Sequence, residues 1–183
     1  MKKIGNSIID VNLVFRKISP LKEDMRVADL GCGNFGHFLF PLAEVLGKKS
    51  RVYAVDIFKG SLEEIKRKAR LENYHQIETI WSDLEVPGAT NIESGTLDAA
   101  FLINVLFQSS KRKEILSEAI RLLKSGAKLV VLEWDQNFSE FGPTLDRRVS
   151  KDLLRKALIK LNLDLVEEFI AGPYHYGIVA VKK

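Results

Sequence analysis

The sequence predicts an α/β fold, a three-layer sandwich around a seven-stranded and mostly parallel sheet. Three observations carry this. Short apolar runs alternate with amphipathic segments along most of the chain, the pattern of strands joined by helical crossovers that cover both sheet faces. The last two apolar runs are separated only by Gly172-Pro173-Tyr174-His175-Tyr176, so the final strand is antiparallel to its neighbour. The first run, Met25 to Leu30, passes directly into Gly31-Cys32-Gly33-Asn34-Phe35-Gly36, a G-x-G-x-x-G spacing that opens an amphipathic segment.

In chain order, residues 1–20 carry apolar positions from Ile8 to Ile18 and read as a short N-terminal helical lid segment ending at Ser19-Pro20. Met25 to Leu30 is the first strand, and a helix from Phe38 stops at Gly47. Arg51 to Val55 is the second strand, ending at Asp56. Ser61-Leu62-Glu63-Glu64 reads as a capping box opening a helix whose apolar face holds Leu62, Ile65 and Ala69. Ile77 to Trp81 is the third strand. A Pro87-Gly88 loop leads to Leu97 through Ile103, an apolar run that suits a central parallel strand. Ile115, Leu116, Ala119, Ile120 and Leu123 mark a helix closed by Ser125-Gly126, and Ala127 to Leu132 is the fifth strand. A loop over 135–149 precedes a helix marked by Leu153 to Leu161, and strands Leu163–Ala171 and Gly177–Val181 finish the chain. No repeat, linker or low-complexity segment interrupts this order, which predicts a single domain over residues 1–183.

Composition narrows the function classes. The net charge of +4 permits contact with anions, but acids and bases are mixed along the chain. The densest basic patch, Lys66-Arg67-Lys68 with Arg70, lies on a helix whose other face is apolar, and reads as a solvated face. One cysteine, Cys32, excludes an internal disulfide and a cysteine-cluster metal site, and fits a reducing compartment. With no long apolar run and no leader-like N-terminus, a cytoplasmic location is expected.

The strand ends hold the chemistry. In a parallel sheet the carboxyl ends of the strands share one rim, where ligands bind at the switch in strand order. Asp29, Asp56 and Asp83 converge on that rim from distant sequence. Asp56 lies twenty residues beyond Gly36, the spacing at which an acid accepts hydrogen bonds from ribose hydroxyls. A lone glycine motif fits a plain strand-to-helix turn equally well. Three acids in register with it point to an adenosine-containing ligand.

Over nearly its whole length the chain resembles the class I S-adenosylmethionine-dependent methyltransferases, and within them the ubiquinone/menaquinone-biosynthesis-type group. The matching stretches are Asp29-Leu30-Gly31-Cys32-Gly33, Val52-Tyr53-Ala54-Val55-Asp56, Ser82-Asp83-Leu84, Leu97-Asp98-Ala99-Ala100-Phe101, Leu122 to Leu129 and the terminal hairpin. The resemblance implies a sheet in the order 3-2-1-4-5-7-6. It implies S-adenosyl-L-methionine as cofactor, with Gly31, Gly33 and Gly36 near its methionine part and Asp56 and Ile57 at the ribose. It also places Asp83 and the Leu84 backbone at the adenine, Asn104 beside the methionine moiety, and Asp29 acting through the loop or on the amino group. The family writes acid-x-G-x-G-x-G, whereas here Phe35 holds the third glycine position and Gly36 follows. That spacing also matches the dinucleotide fingerprint, so a nicotinamide-dependent oxidoreductase is the alternative. A cofactor-binding interaction module without catalysis is a third reading.

Methyl transfer from a sulfonium is an in-line displacement that needs positioning and exclusion of water more than a dedicated base. Asn104-Val105-Leu106-Phe107 lacks the Asn/Asp-Pro-Pro-aromatic signature of the amino-methylating DNA and protein enzymes, and the single cysteine does not fit arsenite methylation. A small-molecule acceptor is expected, with RNA and protein left open. Topology brings Trp134, Phe138, Phe141, Tyr174 and Tyr176 to the rim as an aromatic acceptor wall. His175 and Tyr174 are the candidate catalytic groups there. His37 and His75 read as structural and surface residues.

Overall fold

The computed structural model describes residues 9–136 and 142–183. Its elements are α1 (Val11–Ile18), β1 (Arg26–Leu30), α2 (Leu39–Leu46), β2 (Arg51–Asp56), α3 (Lys59–Leu71), β3 (Ile77–Trp81) and β4 (Leu97–Ile103). A single 3₁₀ turn (Leu106–Gln108) follows, then α4 (Arg112–Leu122), β5 (Leu123–Trp134), α5 (Lys151–Lys160), β6 (Leu163–Gly172) and β7 (His175–Lys182). The seven strands form one sheet in the order β3-β2-β1-β4-β5-β7-β6. Pairings among β1 to β5 are parallel, and β7 runs antiparallel to both β5 and β6. The expected order and the antiparallel seventh strand are both present.

Strand alternation sorts the core into two layers. Val27, Ala54, Phe101, Leu132 and Val179 face α1, α2 and α3, while Ala28, Leu30, Leu102, Val131 and Ile178 face α4 and α5. The N-terminal helix lies against the first of these layers. Its Val14, Phe15 and Ile18 are buried, Lys17 pairs with Glu167, and Phe15 stacks on Phe38, which in turn stacks on Phe101. At its start the Asp10 N–H donates to the Ala171 carbonyl at the carboxyl end of β6.

Local details differ from the sequence expectations. The capping box at Ser61 is not formed. Helix α3 begins at Lys59, and Ser61 is buried inside its first turn. Asp56 sets the bend instead, its Oδ1 accepting the Phe58 N–H at 2.8 Å, so the helix starts before the Ser-x-x-Glu spacing is reached. Strand β5 starts at Leu123, straight from α4, because Leu123 pairs with Leu97 before the register shifts to Ala99 with Lys128. His175, expected in the hairpin turn, is the first residue of β7.

The crossover from β3 to β4, residues 82–96, contains no helix and is held by a buried carboxylate. Glu118 of α4 accepts the Gly88 and Thr90 N–H groups at 2.6 and 3.0 Å and pairs with Arg121 at 2.8 Å. Burial alone would raise this carboxyl, but the Arg121, Gly88 and Thr90 hydrogen bonds outweigh it and hold it down at about 2. No described helix is long and apolar enough to cross a membrane.

Candidate functional site

A cavity of about 440 Å³ opens at the carboxyl ends of β1 to β4, across the switch in strand order. Four connections build it. Gly31, Gly33 and Asn34 come from the loop after β1, and Asp56 and Ile57 from the end of β2. Ser82 to Glu85 follow β3, and Val105, Gln108 and Ser109 follow β4; Ser61 and Ile115 close the sides.

The glycine loop is shaped for close approach. The Gly31 and Cys32 N–H groups both donate to the Val55 carbonyl, which draws the loop onto the end of β2. Gly31 has φ +83°, and a Cβ there would lie 2.6 Å from a Val105 methyl. A Cβ on Gly33 would meet nothing within 4 Å. Gly33 therefore leaves its backbone open to a ligand, and its N–H donates to Asp56 Oδ2 at 2.9 Å.

The acids differ in state. Asp29 is 2% exposed and its Oδ1 has no hydrogen-bond partner. Burial, and then the charge of Asp56, push it up to about 7. Asp83 accepts the Glu85 N–H, and Glu85 is held by the Ser109 hydroxyl and by Lys111, which lower it. Cys32, in the same loop, is driven well above the usual thiol range, first by burial and then by Asp29 and Asp56. A thiol kept neutral there fits space-filling rather than nucleophilic chemistry.

Among the candidates from sequence, Asp56, Ile57, Asp83, Leu84, Gly31 and Gly33 meet at this cavity, and Asp29 lies at the end of β1 behind the loop. Gly36 does not line it. A Cβ on Gly36 would come within 2.7 Å of Phe40 and 2.8 Å of Ile65, so the third glycine serves the packing of α2 on α3. Asn104 is held in a left-handed conformation, φ +58°, outside the cavity lining. Its N–H donates to Leu132, its carbonyl accepts from Gln108, and its Oδ1 is buried without a partner.

At the end of β5 and the start of β7, outside the cavity lining, Trp134 and His175 stack with ring centroids 4.2 Å apart, and the Asp135 N–H donates to the Tyr174 carbonyl. His175 is buried and Tyr174 half-buried. Tyr176 does not join this group. Adjacent strand residues face opposite sides, and Tyr176 packs in the α4/α5 layer with its hydroxyl donating to Val149. Gly142 rests on the Trp134 indole, where a Cβ would come within 2.6 Å of the ring. Phe138 and Phe141 lie outside the described residues.

Sequence reasoning missed Ser61, Glu85, Val105, Gln108, Ser109 and Ile115 as walls of the cavity. None belongs to a ligand-binding motif, since Ser61 reads as a helix cap and Ile115 as a core position; only their nearness to the ends of β2, β3 and β4 marks them. Among the described residues no cluster is suited to hold a metal ion.

The fold is that of the class I S-adenosylmethionine-dependent methyltransferases. A SAM-dependent methyltransferase from Aquifex aeolicus superposes with a TM-score of 0.86 at 23% identity, covering 96% of this chain and 91% of that one. The [4+2]-cyclase SpnF superposes with a TM-score of 0.79 at 16% identity, covering 94% of this chain and 79% of that one, so fold alone does not fix the reaction. A methyltransferase domain model matches residues 21–164, and the chain belongs to that family. Aklanonic acid methyltransferase DauC of Streptomyces sp. (strain C5) is 31% identical over 65% of this chain and 52% of its own length. The ubiquinone/menaquinone biosynthesis C-methyltransferase UbiE of Sinorhizobium fredii (strain NBRC 101917 / NGR234) is 36% identical over 70% of this chain and 47% of its own. The chain thus spans about half the length of these curated relatives. Membership of this family decides against the dinucleotide reading of the glycine spacing.

Proposed function

We propose that this chain binds S-adenosyl-L-methionine in the 440 Å³ cavity and transfers its methyl group to a small-molecule acceptor. The observation that carries the reading is charge. Among the described residues lining the cavity are Asp56, Asp83 and Glu85 but no lysine or arginine, although the chain as a whole carries +4. An acidic, base-free cleft attracts a ligand with ammonium and sulfonium groups and repels a dinucleotide pyrophosphate.

The residues fit such a ligand. Asp56 has both carboxylate oxygens anchored by backbone N–H groups, leaving lone pairs for ribose hydroxyls, with Ile57 beside them. Asp83 and the Leu84 backbone take the adenine edge. Gly31 and Gly33 let the main chain approach the methionine part, with Asn104 beyond it. The unpartnered Asp29 oxygen supplies negative charge behind the loop, toward the ammonium. When bound, the cofactor supplies an electrophilic methyl on sulfur with a thioether as leaving group. The chain's own work is to orient the acceptor and exclude water.

Trp134 and His175 form the aromatic flank for that acceptor, with Tyr174 next to them in the chain, and the start of α1, read as the helical part of a lid segment, docks at the same rim through the Asp10 N–H on Ala171. The relatives named for aklanonic acid and for ubiquinone and menaquinone biosynthesis support a small acceptor. The acidic cavity lining gives no support to RNA as acceptor.

Titration calorimetry with S-adenosylmethionine and S-adenosylhomocysteine tests the reading. Binding of both is expected, with Asp56→Ala weakening it at least tenfold. Binding of NADH without either adenosylated ligand sinks it. A labelled-methyl screen over phenols, quinols and carboxylic acids, with RNA as a separate arm, then identifies the acceptor class.

A further inference from the structure

The wall of the cavity after β4 is not stiffened by regular structure. It is a short turn, residues 104–109, entered through left-handed Asn104 and carrying one 3₁₀ turn. Val105 packs directly on Gly31 at the edge of the cavity, and Gln108 and Ser109 line it. A segment so short keeps its place only if its backbone groups are anchored.

Two side chains outside the cavity lining provide the anchors from opposite poles. Glu133, near the end of β5, is fully buried. Its Oε1 accepts the Leu106 N–H at 2.6 Å, and the Val105 and Phe107 N–H groups also point to its carboxylate. Arg112, at the start of α4, takes the other end of the same turn. Its Nε donates to the carbonyls of Leu106 at 3.0 Å and Ser109 at 3.1 Å. Its second amino group reaches the Arg147 carbonyl at 3.1 Å, tying the turn to the loop that leads into α5. An acid thus grips the N–H end of the turn and a base its carbonyl end, the polarity that a helical turn favours. Burial raises Glu133 to about 7, and the three N–H groups and Arg112 oppose that rise. Its Oε2 is buried and has no hydrogen-bond partner.

We propose that Glu133 and Arg112 are positioning residues for the cofactor cavity, holding the Val105–Ser109 wall against Gly31 in the position that ligand binding requires. The inference rests on the cavity being the cofactor site. Neither residue touches the ligand; both act through the backbone of the turn.

The test uses the full chain at pH 8, where Glu133 is mostly ionised, with S-adenosylhomocysteine as the probe. Glu133→Gln keeps the volume and one accepting oxygen but removes the charge that strengthens the N–H contacts. It is expected to weaken binding about tenfold. Amide exchange at Val105, Leu106 and Phe107 should quicken by a similar factor while the β4 and β5 amides stay protected. Arg112→Gln should move affinity in the same direction and provides the reading if Glu133→Gln does not fold. Asp98→Asn is the control. Asp98 accepts the Arg26 N–H and pairs with Lys124 at the opposite end of β4, so this variant loses melting temperature but not affinity. Unchanged affinity in both Glu133→Gln and Arg112→Gln overturns the proposal. If the wild-type chain itself does not bind the probe, the cofactor reading fails. The exchange measurement then decides the anchoring on its own, and unaltered exchange at residues 105–107 overturns it.

Discussion

Asp29→Asn is the most informative single perturbation, because the buried carboxyl behind the glycine loop carries both a stability and a binding signature. An unfolded Asp titrates near 3.8, whereas burial and then Asp56 lift folded Asp29 to about 7. The folded state therefore holds this proton more tightly than the unfolded one. Its contribution to stability is complete below about pH 4 and is lost as pH rises to about 7. Roughly three pH units at 1.36 kcal/mol each set an upper bound of about 4 kcal/mol. Relaxation around the ionised group brings the expectation to about 2–4 kcal/mol. An asparagine has no charge to gain, so its fixed packing offset cancels when one variant is followed across pH. The wild type should lose about 2–4 kcal/mol relative to Asp29→Asn between pH 4 and 8. At about 2–4 °C per kcal/mol for a chain of this length, that difference is readable by thermal denaturation. Binding shows the same proton from the other side. A ligand bearing an ammonium favours ionised Asp29, so S-adenosylhomocysteine affinity should climb as pH rises from 5 to 7, by up to about tenfold per unit, and stay flat in Asp29→Asn. Parallel pH curves for the two proteins, in melting and in affinity, refute the reasoning.

Two further outcomes separate packing from ligand chemistry. Gly36→Ala places a methyl within 2.7 Å of Phe40 and 2.8 Å of Ile65 at φ +59°, so overpacking and left-handed strain together should cost about 2–4 kcal/mol. Its melting temperature should fall by about 5–10 °C while affinity for S-adenosylhomocysteine in the folded protein holds; an unchanged melting temperature contradicts the packing role. Glu118→Gln leaves Arg121 beside a neutral partner and weakens the contacts to Gly88 and Thr90. With the Arg121 side chain about a quarter exposed, a loss of about 2–4 kcal/mol is expected at pH 7, measured by urea unfolding. The Glu118 carboxyl titrates near 2 in the folded state, so the wild-type advantage is present above about pH 4.5 and disappears as pH falls toward 2.

The strands were legible because each is a short apolar run ended by a glycine, an acid or a turn, whereas their order in the sheet came with the resemblance to the family. The hairpin of β6 and β7 forced the one reversal of direction. Asp56 and Asp83 were legible for the same reason: a side chain at the carboxyl end of a parallel strand has no freedom to be elsewhere than the rim. What failed to read was one step more local. His175 and Tyr176 are neighbours in sequence and both aromatic, yet the two-residue period of a strand sends them to opposite faces, and only His175 meets Trp134. A one-residue difference in where the turn ends decides between them, and composition of the turn does not reveal it. Gly36 matched a spacing, but the spacing carries no record of whether a missing side chain makes room for a ligand or for Phe40.

The wall after β4 lies furthest from sequence signals, and this follows from how it is held. Val105, Gln108 and Ser109 sit in a turn whose position depends on Glu133, 27 residues beyond Leu106 in β5, and on Arg112 at the start of the helix that follows the turn. Read in sequence, Glu133 reaches the rim at the end of the fifth strand but nothing marks it as the brace of this turn, and Arg112 is one more base on a helix. The cavity's charge has the same origin. A chain of net charge +4 builds an acidic cleft because Asp56, Asp83 and Glu85 follow the ends of β2 and β3 at the rim while no described lysine or arginine lines it. Selectivity for a cationic ligand therefore comes from placement, and altering the chain's overall charge on the exposed face of α3 should leave it untouched.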